Sequence, residues 1–191
     1  INRADVADIV VIRLGKKPRK PGWLDLAEAG VQILYFESAA DAEAYLARLI
    51  RAGHRVAIAE QTETPAQAKA RGSKALVNRG IVRYVTAGTL TEDSLLDARS
   101  DNMLVAVAQI GGQAGGEIGI AAADISTGRF ETVTATTETL VAEIARLRAS
   151  EVILADGCTL LAAGPITGVY HFDKSAFSSS KAEARLKRLF G

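Results

Sequence analysis

YLARLIRAGHRVAIAEQTETPAQAKARGSKALVNRGIVRYVTAGTLT, residues 45–91, reads as helix, strand, capped second helix and strand in one run. Ser38 sets the start of the first helix, with Asp41 three residues on in capping-box spacing. Tyr45, Leu46, Leu49 and Ile50 then make one apolar stripe, and Gly53 supplies a left-handed stop. HRVAIAEQ alternates Val56 and Ile58 with small residues, as a buried strand does. Thr64-Pro65-Ala66-Gln67 combines an N-cap, a first-turn proline and a capping-box glutamine, so a second helix runs to about Arg71 and ends at Gly72. Ile81 to Thr86 is the next predicted strand, and AGTLTEDSLLD leads onward.

The same run holds the molecule's charge. From Arg48 to Arg83 there are eight Lys/Arg against Glu60 and Glu63, a net of +6, while residues 1–47 sum to −1 and residues 84–191 to −4. The whole chain carries only +1. Such segregation points to a polyanion partner, with the phosphate backbone of a duplex first in line.

Outward from this run the pattern stays α/β. ADIVVIRL and VQILYF read as strands, GKKPRKPG as a basic loop, and WLDLAEAG as two helical turns closed by Gly30. Lys16, Lys17, Arg19 and Lys20 are either solvated or touch phosphate. From Asn102, the runs MLVAVAQI, EIGIAAADI and RFETVTA are separated by GGQAGG and STG and form an expected antiparallel meander. A helix over Thr137–Arg148, with Leu140, Val141, Ile144 and Leu147 as its apolar face, precedes the strand EVILAD. GVYHF is an expected fifth strand, and Ser180 to Phe190 a terminal amphipathic helix. Three meandering strands, a helix and a strand is the order of an RNase H-like layer.

At 191 residues the chain suits one large domain or two small ones. A hydrophobic share of 48% allows a real core, built from Leu, Ile, Val and Ala because aromatics are only 5%. Cys158 is alone, which fits a reducing compartment and a small packed residue. No apolar stretch approaches the roughly 20 residues of a membrane span. A cytoplasmic location without membrane contact is expected.

YLARLIRAGHRVAIAEQTETPAQAK followed by RGIVRYVTAGTLTEDSLL resembles the end of the mismatch-recognition domain of the bacterial MutS DNA mismatch-repair family. NMLVAVAQ…GIAAADISTGRF resembles the start of that family's connector domain. The resemblance covers roughly Asp41 to Gly191 and implies a small mixed α/β domain followed by an RNase H-like connector. The expected division is an atypical segment at 1–37, the recognition-domain remainder at 38–92, a linker at 93–101 and an incomplete connector at 102–191. Loss of likeness before about residue 38 suggests a disrupted reading frame or a spurious start. The stop at RLFG suggests a connector lacking an element.

The resemblance also implies mismatched-DNA binding, with double-stranded DNA, other MutS domains and a MutL-type protein as partners and a homodimeric parent. Arg83 stands where MutS-like proteins carry an arginine, which implies a contact to the DNA backbone. Strand alternation sets Arg83 opposite in facing to Val82 and Tyr84, so it points outward while they pack. A salt bridge is the rival role. Lys69, Arg71, Lys74 and Arg79 lie around the loop after the second helix and would add salt-sensitive affinity that cannot tell a mispair from a match.

The family's mispair reader is a Phe-x-Glu motif. The phenylalanines here stand at 36, 130, 172, 177 and 190, none with Glu two positions on, and Phe36-Glu37 has the wrong spacing. Weak, mismatch-blind duplex binding is therefore expected. Ala87 replaces a common proline of the family, which loosens the turn into the connector.

Two alternatives remain: a protein-interaction unit without DNA affinity, and a diverged nuclease. A nuclease needs carboxylates converging on two metals. Asp124, Glu131, Glu143 and Asp156 are the acids at hand, and Asp124 more simply caps the STG turn. No G-x-x-x-x-G-K-[ST] occurs, so the ATP and Mg of the full-length family find no P-loop in this chain, for which no enzyme activity and no cofactor is expected. His54 and His171 lack partners at metal-ligand spacing.

Overall fold

A computed structural model describes residues 9–14, 32–91, 95–96, 100–111, 116–161, 166 and 168–191. The basic cluster at Lys16–Lys20 and the helical turns of WLDLAEAG lie outside the described residues. The chain divides between Thr86 and Ala87 into two compact units.

The first unit is a four-stranded sheet in the order β2-β1-β3-β4. β1 (Ile9–Leu14) lies between β2 (Gln32–Phe36) and β3 (Arg55–Gln61), parallel to both, and β4 (Arg79–Val85) closes the sheet antiparallel to β3. Parallel strands two places apart need a crossover, and helix α1 (Ala39–Arg51) supplies it from β2 to β3. Ser38 caps α1 by accepting from the Asp41 N–H at 3.1 Å, and Gly53 takes φ 84° just after it. Val10, Val11, Ile12, Val56, Ala57 and Ala59 are all 5% exposed or less. Neighbouring residues on both β1 and β3 are buried, so both faces of the sheet centre are covered. Leu46 and Ile50 of the expected stripe are buried, whereas Tyr45 is 44% exposed. The Tyr45 ring instead lies 5.1 Å from that of Phe36, beneath the Arg48 guanidinium.

The second unit is a five-stranded sheet in the order β7-β6-β5-β8-β9. β5 (Met103–Gln109), β6 (Ile118–Asp124) and β7 (Arg129–Ala135) form the expected meander. β8 (Ala149–Ala155) runs parallel to β5, and β9 (Val169–Phe172) parallel to β8. With α3 (Leu140–Arg146) leading into β8, this is the strand order of an RNase H-like sheet. Leu140, Ile144 and Leu147 pack with Met103, Val105, Val107, Ile118 and Ile120 on one face.

Val141, expected on that apolar face, is 36% exposed. The helix begins at Leu140, so three buried positions within two turns already fill the sheet-facing side. Helix α4 (Ser179–Phe190) is exposed along its whole length, with Leu186, Leu189 and Phe190 among the exposed apolar residues. Among the described residues no helix is long and apolar enough to cross a membrane.

Candidate nucleic-acid interface

The basic run of the first unit is organised around one turn and one helix, α2 (Pro65–Arg71). Thr64 accepts from the Gln67 N–H at 3.3 Å while the Gln67 side chain accepts from the Thr64 N–H at 2.8 Å, the reciprocal box read from the sequence. After Gly72 (φ 154°) the chain loops over residues 73–78 before entering β4.

Glu63 holds this loop. Its Oε1 accepts from the Asn78 N–H at 2.6 Å and from the Arg71 guanidinium, which also donates to the Leu76 carbonyl at 3.1 Å. Thr62 N–H to Asn78 O (3.0 Å) and Ala75 N–H to Gly72 O (3.0 Å) complete the tie. The Asn78 N–H, working against partial burial, and then the Arg71 guanidinium hold the Glu63 carboxyl below the usual glutamate range. Sequence reading passed over Glu63, whose signal is only an acid at the start of a basic run.

The five expected DNA-contacting residues do not share one face. Lys69, in the last turn of α2, and Lys74, in the loop, are exposed. Arg71 is half exposed, but its hydrogen bonds go to Glu63 and Leu76, so it fixes the loop.

Arg79 and Arg83 are separated by a β-bulge. Arg79 pairs with Gln61 and Ile81 with Ala59, yet Arg83 pairs with Ile58, leaving Val82 as the extra residue. Cross-strand partners share a face, so Arg83 goes with Ile58 and Arg79 with Ala59 and Gln61 on the other side. The expectation that Val82 and Tyr84 pack while Arg83 points out is corrected: both are 51% exposed, and Arg83 is exposed with them. The bulge breaks the alternation on a strand that, among the described residues, has a partner on one side only.

Among the described residues of the second unit, two carboxylates are buried, those of Asp124 and Glu151. Asp124 is 1% exposed; its Oδ1 accepts from the Ser126 hydroxyl (2.6 Å), Ser126 N–H (2.9 Å) and Thr127 N–H (3.3 Å), and its Oδ2 from Asn102 N–H (3.1 Å). Burial alone would raise its pKa, but these donors outweigh it and hold the carboxyl at about 2. Glu151, 2% exposed, accepts from Gly88 N–H at 2.9 Å. Asn102 Nδ2 donates to Ala87 O at 2.9 Å, so the turn at Ala87–Thr89 is fastened to the sheet at two points.

Asp124 pairs with Met103 and Glu151 with Leu104, successive residues of β5 that face opposite ways. The two acids therefore lie on opposite sheet faces. Among the described residues no three His, Cys, Asp or Glu side chains gather. His54 N–H closes the α1–β3 turn on Leu49 O, and His171 lies on the edge strand β9 beside Ala155 O. Cys158 packs half-buried against the core of its unit.

Two family models match the sequence in succession: MutS domain I over residues 34–94 and MutS domain II over residues 102–191. The chain belongs to the MutS family. A DNA mismatch repair protein MutS from Zymomonas mobilis is 55% identical over 152 residues, 78% of this chain and 17% of that protein. The MutS of Erythrobacter litoralis is 48% identical over 155 residues, 78% of this chain and 17% of its own length. That of a Ruegeria species is 44% identical over 195 residues, 100% of this chain and 21% of the relative. The chain thus spans about a fifth of the length of the curated relatives it matches. The MutS domain I match takes in Glu63, the loop it ties and all five candidate cations, and the MutS domain II match takes in Asp124 and Glu151. Domain I extends past the structural division to residue 94, so the Ala87–Thr89 turn matches domain I while packing with the second unit.

Proposed function

We propose that this chain serves DNA mismatch repair as a duplex-holding part of a MutS-type protein, gripping the phosphate backbone without reading the mispair. The observation that carries the reading is the net charge of +6 between Arg48 and Arg83, inside the stretch matched by MutS domain I. Lys69 beside the tied loop and Lys74 within it supply point charges, and Arg83 supplies a planar fork from β4. Arg71 adds charge at a distance while its hydrogen bonds stay with Glu63. Arg79, on the other face of β4, contributes only to the general field.

Contacts of this kind fix position and carry no base identity. The chain acts without a cofactor of its own and is not an enzyme in this reading. ATP hydrolysis, a MutL-type partner and a homodimeric parent belong to the longer protein, and the second unit joins the DNA-holding unit to the remaining domains.

Titrating the 191-residue chain with matched and G·T-containing duplexes at several salt concentrations tests this. Equal affinities are expected for the two duplexes. Replacing Lys69 and Lys74 by Gln should reduce the slope of log K against log salt by about 1.8, at roughly 0.9 per lost phosphate contact. A clear preference for the G·T duplex, or a slope untouched by the double substitution, would overturn the reading.

A second reading, a protein-docking unit without DNA affinity, draws on the exposed Leu186, Leu189 and Phe190 of α4. Retention of a MutS or MutL domain without any duplex binding would favour it.

A further inference from the structure

We propose that Glu63 is a positioning residue for duplex binding: its carboxylate touches no DNA, yet by clamping both ends of the loop after α2 it holds Lys74 ready for a phosphate. The inference rests on the duplex-holding reading and names the residue that prepares one of its contacts. An acid inside a stretch of net charge +6 opposes the grip on a polyanion, so on charge alone its removal would strengthen binding. The geometry points to the opposite sign.

Glu63 stands between β3 and α2, next to the Thr64 cap, with its side chain only 13% exposed. Its Oε1 accepts from Arg71, the last residue of α2, and from the N–H of Asn78, the residue before β4, at 2.6 Å. One oxygen thus joins the two ends of the loop. Between those ends Arg71 donates to the Leu76 carbonyl, and the Ala75 N–H returns to Gly72 O. Lys74 is the cation of that short stretch, and it is exposed. A lysine on a loose loop must have its backbone ordered as well as its side chain when it meets a phosphate. A loop fixed beforehand avoids the first of these costs.

Two substitutions separate reach from charge. Glu63→Asp keeps the charge but is one methylene shorter, so it cannot hold Arg71 and the Asn78 N–H together. Glu63→Gln drops the charge and keeps an accepting oxygen at the same reach. Each 191-residue chain is titrated with a matched duplex at several salt concentrations, with and without Lys74→Gln, and hydrogen exchange at the Asn78 amide reports the clamp itself.

In the parent, Lys74→Gln should lower the slope of log K against log salt by about 0.9. Glu63→Asp should exchange faster at Asn78 and bind roughly fivefold more weakly at about 0.1 M salt, with the slope reduced by a similar amount. Adding Lys74→Gln to it should then change neither quantity, because the contact is already lost. Glu63→Gln should keep Asn78 protected, bind at least as tightly as the parent and retain the full effect of Lys74→Gln. Binding by Glu63→Asp equal to that of the parent, or an undiminished Lys74→Gln effect within it, overturns the positioning role and leaves the duplex-holding reading intact. So does a parent slope that Lys74→Gln leaves unchanged. A parent with no salt-sensitive binding at all removes both.

Discussion

Four donors converge on the Asp124 carboxylate, and the sign of its pKa shift sets a pH window. The folded value is depressed from 3.8 to about 2, so the stabilisation is complete above the unfolded pKa and disappears as pH falls through the folded one. The second unit should lose about 2 kcal/mol between roughly pH 4 and pH 2, seen by urea unfolding across that range. Asp124→Asn should flatten this dependence, because the amide does not titrate. A curve for the variant parallel to that of the parent would assign the acid sensitivity to other carboxylates.

Gly88 sets a second limit at this scale. A Cβ there would lie 2.9 Å from Glu151 Cβ and 3.0 Å from Leu104 Cδ1. Gly88→Ala should destabilise by about 2 kcal/mol through overpacking, measured as a lowered urea midpoint at constant m-value.

At the level of the element, helix ends were the most legible features and strand faces the least. Ser38 and Thr64 act through bonds within three residues, so their caps follow from local sequence alone. The turn role of Asp124 was equally local, as an acceptor two residues from Ser126. Glu151 was hidden because its partner Gly88 lies 63 residues away. The bulge at Val82 was hidden too, since the register depends on β3. Of the candidate site, residue types and charge were legible, but the diversion of Arg71 to Glu63 and the splitting of Arg79 from Arg83 were not.

Just past the Leu147 cap of helix α3, Arg148 takes φ 51°, a left-handed position that glycine fills without steric strain. Arg148→Gly should therefore stabilise by about 0.5 kcal/mol, after the greater freedom of glycine in the unfolded chain is subtracted. Thermal melting of the two chains checks this, and a lower midpoint for the variant would contradict it. The ion-pair chain linking Arg129, Glu131, Arg146 and Glu143 is half exposed, and its removal should cost little by comparison.

For the molecule as a whole, the described residues form two compact units, each with its own buried residues. The sheet orders themselves required structure, although the meander-helix-strand order of the second unit already implied an RNase H-like layer. Residues 1–37 stay the least legible part. The domain I match begins at residue 34, yet alignment with the Ruegeria relative runs across the whole chain, and Val10, Val11 and Ile12 fill the centre of the first sheet.

The extra residue at Val82 has one more effect, on solubility. Among the described strands β4 is an outer one with two large apolar side chains in the open, the kind of border along which a second molecule could zip. A kink in such a border spoils the straight template. Removing Val82 would join the Ile81 and Arg83 pairings without altering either, and would leave a smooth rim. We expect that deletion to make the chain self-associate more strongly with concentration than the parent does, read by light scattering.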